Sequence, residues 1–531
     1  MRWSGSSRRR PGRLPAPASW LGCVGANTST PRALSQRRGE PGAISGETAH
    51  PGRTHHPMTT YSRAAAATHG STRTADPGIL PASSRQDWCW HWMRSHTEDS
   101  TPLEIPHVLL LRGPLDVGAL RDALAEIEMR HEALRMRLAG HAGAAADATW
   151  PGQRLLPAPS DLNVLSAGSE DGQPEVLHTV AQRLDLTDRM IRHTLVSAAH
   201  GEHHLVTQFH HLAVDAMSHD LFQQQLAAAY AARIGAGGGP SADKLVPFSY
   251  VDMIQREQSA QVRADHRRRA ADLARAVQAH GAERPLPGRG GAEMSLVSRF
   301  AGIPLTLSSA DTENLNQWCR EQRTTPHNAL LALLARGVAD VYERDRLVAS
   351  LYMHGRTTPA SRQAIGLMCN VLPVPLDLGS RDPSGLARQV GERILETWDA
   401  IDVPLSVVAD EAAVRTGSEA FYRAGLSHLE FRTIGDAGQR RRNTDAPLQF
   451  GPGLSARYVT HEAPDRGMRF ATRRQALQSA QSLYATVDLA GSAITGSLWF
   501  DEQYHDAERL VHVVDAFHAG IRAIGTARLG E

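Results

Sequence analysis

The stretch "QFHHLAVDAMSHD" (208–220) sets His210 beside His211, with Asp215 four residues after the second histidine, just behind an apolar run. An imidazole takes up and returns a proton near neutral pH, which suits it to general-base work on an amine or a hydroxyl. On a tight loop leaving a strand, one of two adjacent histidines can face a cleft while the other packs inward. Asp215 is spaced to fix such a loop by hydrogen bonds or a salt bridge. Two other readings compete: ordinary polar residues at a strand end, or a metal pair of His211 and Asp215. No third ligand at recognisable spacing accompanies that pair, and His203 and His204 fall on the preceding strand.

The flanking elements decide where such a loop would sit. "IRHTLVSAAHGEHHLVTQFHH" (191–211) reads as two strands joined by a turn at His200–Gly201. "MSHDLFQQQLAAAYAARIGAGGG" (217–239) reads as a helix ended by glycines. Upstream, "HVLLLRG" (107–113) is strand-like, and Leu120, Leu124, Ile127 and Leu134 give helical spacing over 116–138. Residues 263–291 read as a solvated helix running into a Pro/Gly linker. Beyond it, strands are expected at 299–307 and 346–353, helices at 310–322 and 325–343, and an extended run at 368–378. A hairpin (482–501) and a closing helix (505–524) follow. Strands alternating with helices in two halves imply an α/β protein with mixed sheets. The expected division is a lobe at 78–262, a linker at 263–295 and a second lobe at 296–531.

Length and composition narrow the function classes. A chain of 531 residues exceeds one ordinary core. A formal charge of +1 gives no ground for nucleic acid or an anionic membrane as partner. Cys23, Cys89, Cys319 and Cys369 are scattered, forming neither a zinc pattern nor a disulfide framework, so a cytoplasmic location is expected. No apolar run is long enough to span a bilayer. Residues 1–77 are rich in Arg, Ser, Pro, Gly and Thr without periodicity and are expected to be disordered, with Met58 an alternative start.

Company changes the weight of the 208–220 stretch. It resembles the His-His-x-x-x-Asp-Gly motif of the condensation domains of nonribosomal peptide synthetases and related acyltransferases. Further matches run in the family's order. Ser83 and Gln86 resemble its Ser-x-x-Gln opening, and "RHEALRMRL" (130–138) its Arg-His-Glu-x-Leu-Arg stretch. "LDLTDRMIRHTLV" (184–196) is similar to its Pro-Leu-Leu-Arg strand entry, and "FSYVDM" (248–253) to its Tyr-x-Asp motif. Gly355 and Arg356 match its Ser-Gly-Arg turn. "IGLMCNVLPVPLDL" (365–378) and "DVPL" (402–405) resemble its Ile-Gly-x-x-x-Asn and Asp-x-Pro-Phe segments. Weak motifs that are collinear over most of a chain make one strong signal.

The resemblance implies two chloramphenicol-acetyltransferase-like lobes with mixed sheets around a central tunnel, the histidine loop at its middle. It implies that His211 deprotonates or orients an amine or alcohol acceptor as it attacks an acyl thioester, with the Ala216 backbone N–H helping to hold the oxyanion. It makes Asp215 and Arg356 partners in a structural salt bridge and His210 a packed residue. Ser83, Gln86, Arg130, Glu132 and Arg135 take structural roles. No bound cofactor or metal is implied; the donor would arrive on the phosphopantetheine of an acyl or peptidyl carrier protein acting in trans, or on CoA. The sequence shows no adenylation signature, carrier site or thioesterase elbow, so a free-standing condensation enzyme of natural-product assembly is expected. A catalytically idle docking partner is the alternative from another class. Ala216 departs from the family's glycine, and "GLSHLEF" (425–431) lacks an asparagine the family often carries there. The first histidine separates the chain from cyclisation domains, and "LYMHGRT" lacks the glutamate of epimerisation domains.

Overall fold

The computed structural model describes residues 78–96, 103–140, 150, 152–236, 247–282, 284–289, 295–416, 426–434, 448–459, 468–470 and 473–527. The arm 1–77, Met58 and Gly425 lie outside the described residues. Fourteen strands are named in chain order: β1 (Glu104–Arg112), β2 (Met136–Leu138), β3 (Gln153–Leu155), β4 (Leu162–Ser166), β5 (Ile191–Ser197), β6 (Glu202–His210) and β7 (Phe300–Pro304). The rest are β8 (Arg346–Met353), β9 (Asn370–Asp377), β10 (Leu429–Ile434), β11 (Leu448–Gly451), β12 (Leu454–Val459), β13 (Leu483–Asp488) and β14 (Thr495–Asp501). Twelve of these form two six-stranded sheets, ordered β11-β12-β1-β6-β5-β4 and β7-β14-β13-β10-β8-β9, and β2 and β3 pair as a small antiparallel ribbon. Each six-stranded sheet is mixed: β4 runs parallel to β5, and β10 runs parallel to both β8 and β13, while the other pairings are antiparallel. Each sheet has its own apolar core. The α/β, two-lobed expectation holds.

β6 ends at the histidines and is buried along nearly its whole length. Leu205 and Phe209 face the main core of the first lobe, while Val206 packs with Val176 and Val180 of the helix Gln173–Ala181 on the other side. The strand is covered on both faces, so its polar Thr207 and Gln208 are buried along with its apolar residues, Thr207 against the His193 ring and Gln208 against Arg192. The tight turn before it uses His200 at φ 56° and Gly201 at φ 72°, as the sequence predicts.

Three boundaries differ from the sequence reading. The helix expected over 116–138 stops at Arg130, and Met136–Leu138 becomes β2. Arg135 closes that helix by donating to the carbonyls of Glu128 (2.9 Å), Met129 (3.3 Å) and Leu156 (2.5 Å), so long-range contacts override a periodicity that runs on through Leu134. The helix after Asp215 ends at Arg233, ahead of its glycines. The expected linker begins inside a helix, Ala260–Ala279, whose Ala270, Leu273, Ala274 and Val277 pack against Val403, Val408, Ala409 and Ala412.

Topology adds what sequence order hides. β11 and β12 follow β10 of the second sheet but pair onto β1 of the first, with Leu110 opposite Arg457. A boundary drawn by residue number assigns them to the wrong sheet. The loop 354–369 between β8 and β9 also crosses, reaching from the second sheet to the histidine loop of the first. These two crossings hold the lobes in register at the site.

Candidate active site

His210 is the last residue of β6, and His211 lies in the turn that follows. The His210 N–H donates to the Met190 carbonyl at 2.8 Å and the His211 N–H to the Leu103 carbonyl at 3.0 Å, so both histidines remain tied to neighbouring backbone. The His210 ring accepts a hydrogen bond at Nδ1 from the Leu212 N–H at 3.2 Å. Burial, with the neighbouring His211 and Arg183 adding to it, pushes its pKa down to about 3. A neutral ring holding a turn is a structural part. His211 is buried as well, 2 % exposed, with its backbone N–H anchored.

Asp215 starts the helix Ala216–Arg233 as its N-cap. Its Oδ1 accepts from the Ser218 N–H (3.0 Å) and Oγ (2.9 Å), while the Asp215 N–H donates back to Ser218 Oγ at 3.3 Å. The same carboxylate receives Arg356 in bidentate fashion, Nη1 to Oδ2 at 2.8 Å and Nη2 to Oδ1 at 2.9 Å. The backbone N–H groups of Met368 and Cys369 each donate to Oδ2 at 3.0 Å. Burial alone would raise this carboxyl; the Arg356 charge and the convergent donors outweigh it, and the pKa ends below the ordinary value. Every Asp215 oxygen is thereby occupied by scaffold. Ala216 is the first helical residue, buried, at the positive end of the helix dipole.

Arg356 reaches this place through a turn that needs glycine. Gly355 has φ 65°, and a Cβ there would stand 2.0 Å from the Met368 carbonyl oxygen. The guanidinium also donates to the carbonyls of His354 (3.1 Å), Ala364 (3.1 Å) and Gly366 (3.2 Å), folding the 354–369 loop around itself. Ser218 Oγ receives the Gly366 N–H at 3.1 Å, a second tie between loop and helix.

The remaining motif residues hold backbone in place around the loop. Gln86 Nε2 donates to the Leu212 carbonyl at 3.1 Å, directly beside the histidines. The Ser83 hydroxyl is 3.4 Å from that of Tyr250, which donates to the Leu367 carbonyl at 3.3 Å. Glu132 receives the Val251 N–H at 2.9 Å and Ser249 Oγ at 3.0 Å, while Arg130 pairs with Glu126 on its own helix. Asn370 Nδ2 donates to the carbonyls of Ile401 and Val403, joining two separate motif segments. Sequence reading missed His131. Its ring bridges Gln225 Oε1 (2.7 Å) and the Ile365 N–H (3.3 Å), and burial lowers its pKa to about 4. Its place inside the 130–138 stretch was the signal. Among the described residues, no group of three or more His, Cys, Asp or Glu side chains could hold a metal ion, and no helix is long and apolar enough to cross a membrane.

Comparison with known proteins gives the family and the fold. The condensation domain family model matches residues 77–421. The chain is 28% identical over 342 residues to a beauvericin nonribosomal cyclodepsipeptide synthetase of Beauveria bassiana, covering 62% of this chain and 10% of that one. It is 38% identical over 167 residues to a probable non-canonical nonribosomal peptide synthetase, CymA, of Salinispora arenicola, covering 31% and 2%. The chain thus spans about a tenth or less of these relatives' length. Among solved structures, the X-domain from teicoplanin biosynthesis superposes with a TM-score of 0.63 at 21% identity, covering 85% of this chain and 96% of that one. The condensation domain of the Monacolin K polyketide synthase MokA superposes with a TM-score of 0.62 at 17% identity, covering 83% and 96%.

Proposed function

The chain belongs to the condensation domain family, and from that premise we propose that it is an acyltransferase joining a thioester-bound acyl group to an amine or alcohol acceptor. The observation that supports this reading most is the histidine loop: Asp215 is held by structural bonds and His210 by its turn, and His211 occupies the position that the motif resemblance gives to proton transfer. In the proposed step the acceptor N or O attacks the thioester carbonyl while His211 accepts its proton. The oxyanion forms beside the Ala216 N–H, the C–S bond breaks, and the proton passes to the leaving thiolate. The donor we propose is carried on the phosphopantetheine of an acyl or peptidyl carrier protein, with CoA as the alternative.

The test offers one acyl group both as carrier thioester and as CoA thioester, with amine and alcohol acceptors, to the protein and to His211→Ala. Transfer by the protein and a loss of roughly two to four powers of ten in the variant are expected. Equal turnover by a folded His211→Ala would remove His211 from the chemistry. Acyl-CoA matching or beating the carrier thioester in kcat/KM selects the CoA alternative. Transfer from neither donor selects the idle docking partner.

A further inference from the structure

The second sheet turns a row that contains Glu430 toward the first lobe. Cross-strand partners share a face, and the register aligns Ser350, Glu430, Tyr484, Trp499 and Gly302 across β8, β10, β13, β14 and β7. The alternate row, Leu351, Phe431, Ala485, Leu498 and Ile303, lies in the core of the second lobe. Tyr484 and Trp499 belong instead to the core cluster of the first lobe, with Leu212 and Ala213 of the histidine loop. Glu430 therefore points out of its own lobe toward the other.

Glu430 is only 7% exposed, yet its partner is a neutral one: Tyr352 Oη donates to Oε2 at 2.9 Å. Among the described residues no ion pair engages this carboxylate. A carboxylate has about four acceptor sites, and a buried one held by a single hydroxyl is costly unless something else satisfies it. Tyr352 is itself packed against the first-lobe cluster, with Arg432 over its ring at 5.8 Å. The pair lies close to the catalytic loop. Tyr352 is opposite Val371, two residues, or about 7 Å of strand, beyond Cys369, whose N–H holds Asp215.

We infer that Glu430, oriented by Tyr352, is a specificity-determining residue that binds a cationic group on the acceptor, separate from the acceptor's nucleophile. The ligand class is a diamine or other basic amine. The inference rests on the acyl-transfer reading in naming this ligand the acceptor. Pentane-1,5-diamine, 5-aminopentan-1-ol and pentylamine serve as probes, measured by equilibrium binding without any donor. The diamine binds at least tenfold tighter than the other two, and Glu430→Gln, which preserves an acceptor for Tyr352, abolishes the preference. Glu430→Asp, the second variant, reduces it by retracting the carboxylate. Equal binding of the three probes to the parent protein, or an unchanged preference in folded Glu430→Gln, overturns the inference. A diamine preference without acyl transfer leaves the subsite standing and removes the acyltransferase reading; transfer without preference does the reverse.

Discussion

Asp215 carries the most densely bonded carboxylate of the site, and its bonds define what it does. Two guanidinium contacts, two from Ser218 and two from backbone N–H groups leave no lone pair facing a substrate. Removing either member of a buried ion pair strands the other charge, at a cost of about 3–5 kcal/mol. Asp215→Ala and Arg356→Ala are each expected to lower the urea midpoint and the activity together. The double variant should cost less than the two singles combined, because neither remaining charge is stranded. Activity lost at unchanged stability in Asp215→Ala would instead give Asp215 a direct part in the reaction.

The loop 354–369 is the element that converts two lobes into one site. Its chain starts in β8, turns at Gly355, places Arg356 under the helix Ala216–Arg233, and returns with the Met368 and Cys369 N–H groups against Asp215. Gly355→Ala meets both a left-handed φ and the Met368 carbonyl, so the turn must open. Gly201→Ala is the matched control: φ is 72° there too, but nothing lies within 4 Å of the added carbon. Backbone strain alone costs about 1–3 kcal/mol at such a position. Thermal melts are expected to show a clearly larger loss for Gly355→Ala than for Gly201→Ala. Only the first should also depress turnover at temperatures where both are folded. Equal losses would mean that the close approach at Gly355 is relieved without disturbing the loop.

Across the whole molecule, buried neutral histidines set the acid side of stability. His210 is held down to about 3, and His131, His428 and His505 to about 4, each chiefly by burial. Below the ordinary histidine value of about 6.5 the unfolded chain binds protons that the folded chain refuses. Their stabilisation is therefore complete above about 6.5 and declines as pH falls toward the folded values. The depressed carboxyls of Asp215 and Glu128 add a later loss, below the ordinary carboxylate range. At pH 5 each of the four histidines should have given up on the order of 1–2 kcal/mol. Tm is expected to fall steadily from pH 7 to pH 5, the four histidines outweighing Asp410, whose carboxyl burial raises to about 6 and which takes up its proton more readily in the folded chain. A flat profile over that interval would show that these rings take up protons in the folded protein.

Local chemistry made much of this legible from the residues alone. The His-His-x-x-x-Asp spacing, the His200–Gly201 turn and strand β6 are each encoded within a few positions, where backbone preference and side-chain period act directly. Arg356 could be named with its partner Asp215 from family resemblance; Gln86, Tyr250 and Asn370 could be named, but not the backbone groups they hold, which lie far away in sequence or in another motif segment. Gln86 reaches across 126 positions to Leu212, and Arg356 across 141 to Asp215. β10 is hard to read from sequence because Glu430 and Arg432 alternate with its apolar residues and break the continuous run of a buried strand. The hairpin of β11 and β12 had a turn signal in Gly451–Pro452–Gly453, yet nothing nearby says which sheet it joins. Register with β1 is chosen by which edges stand free once both lobes have formed, and that choice exists only in the assembled fold.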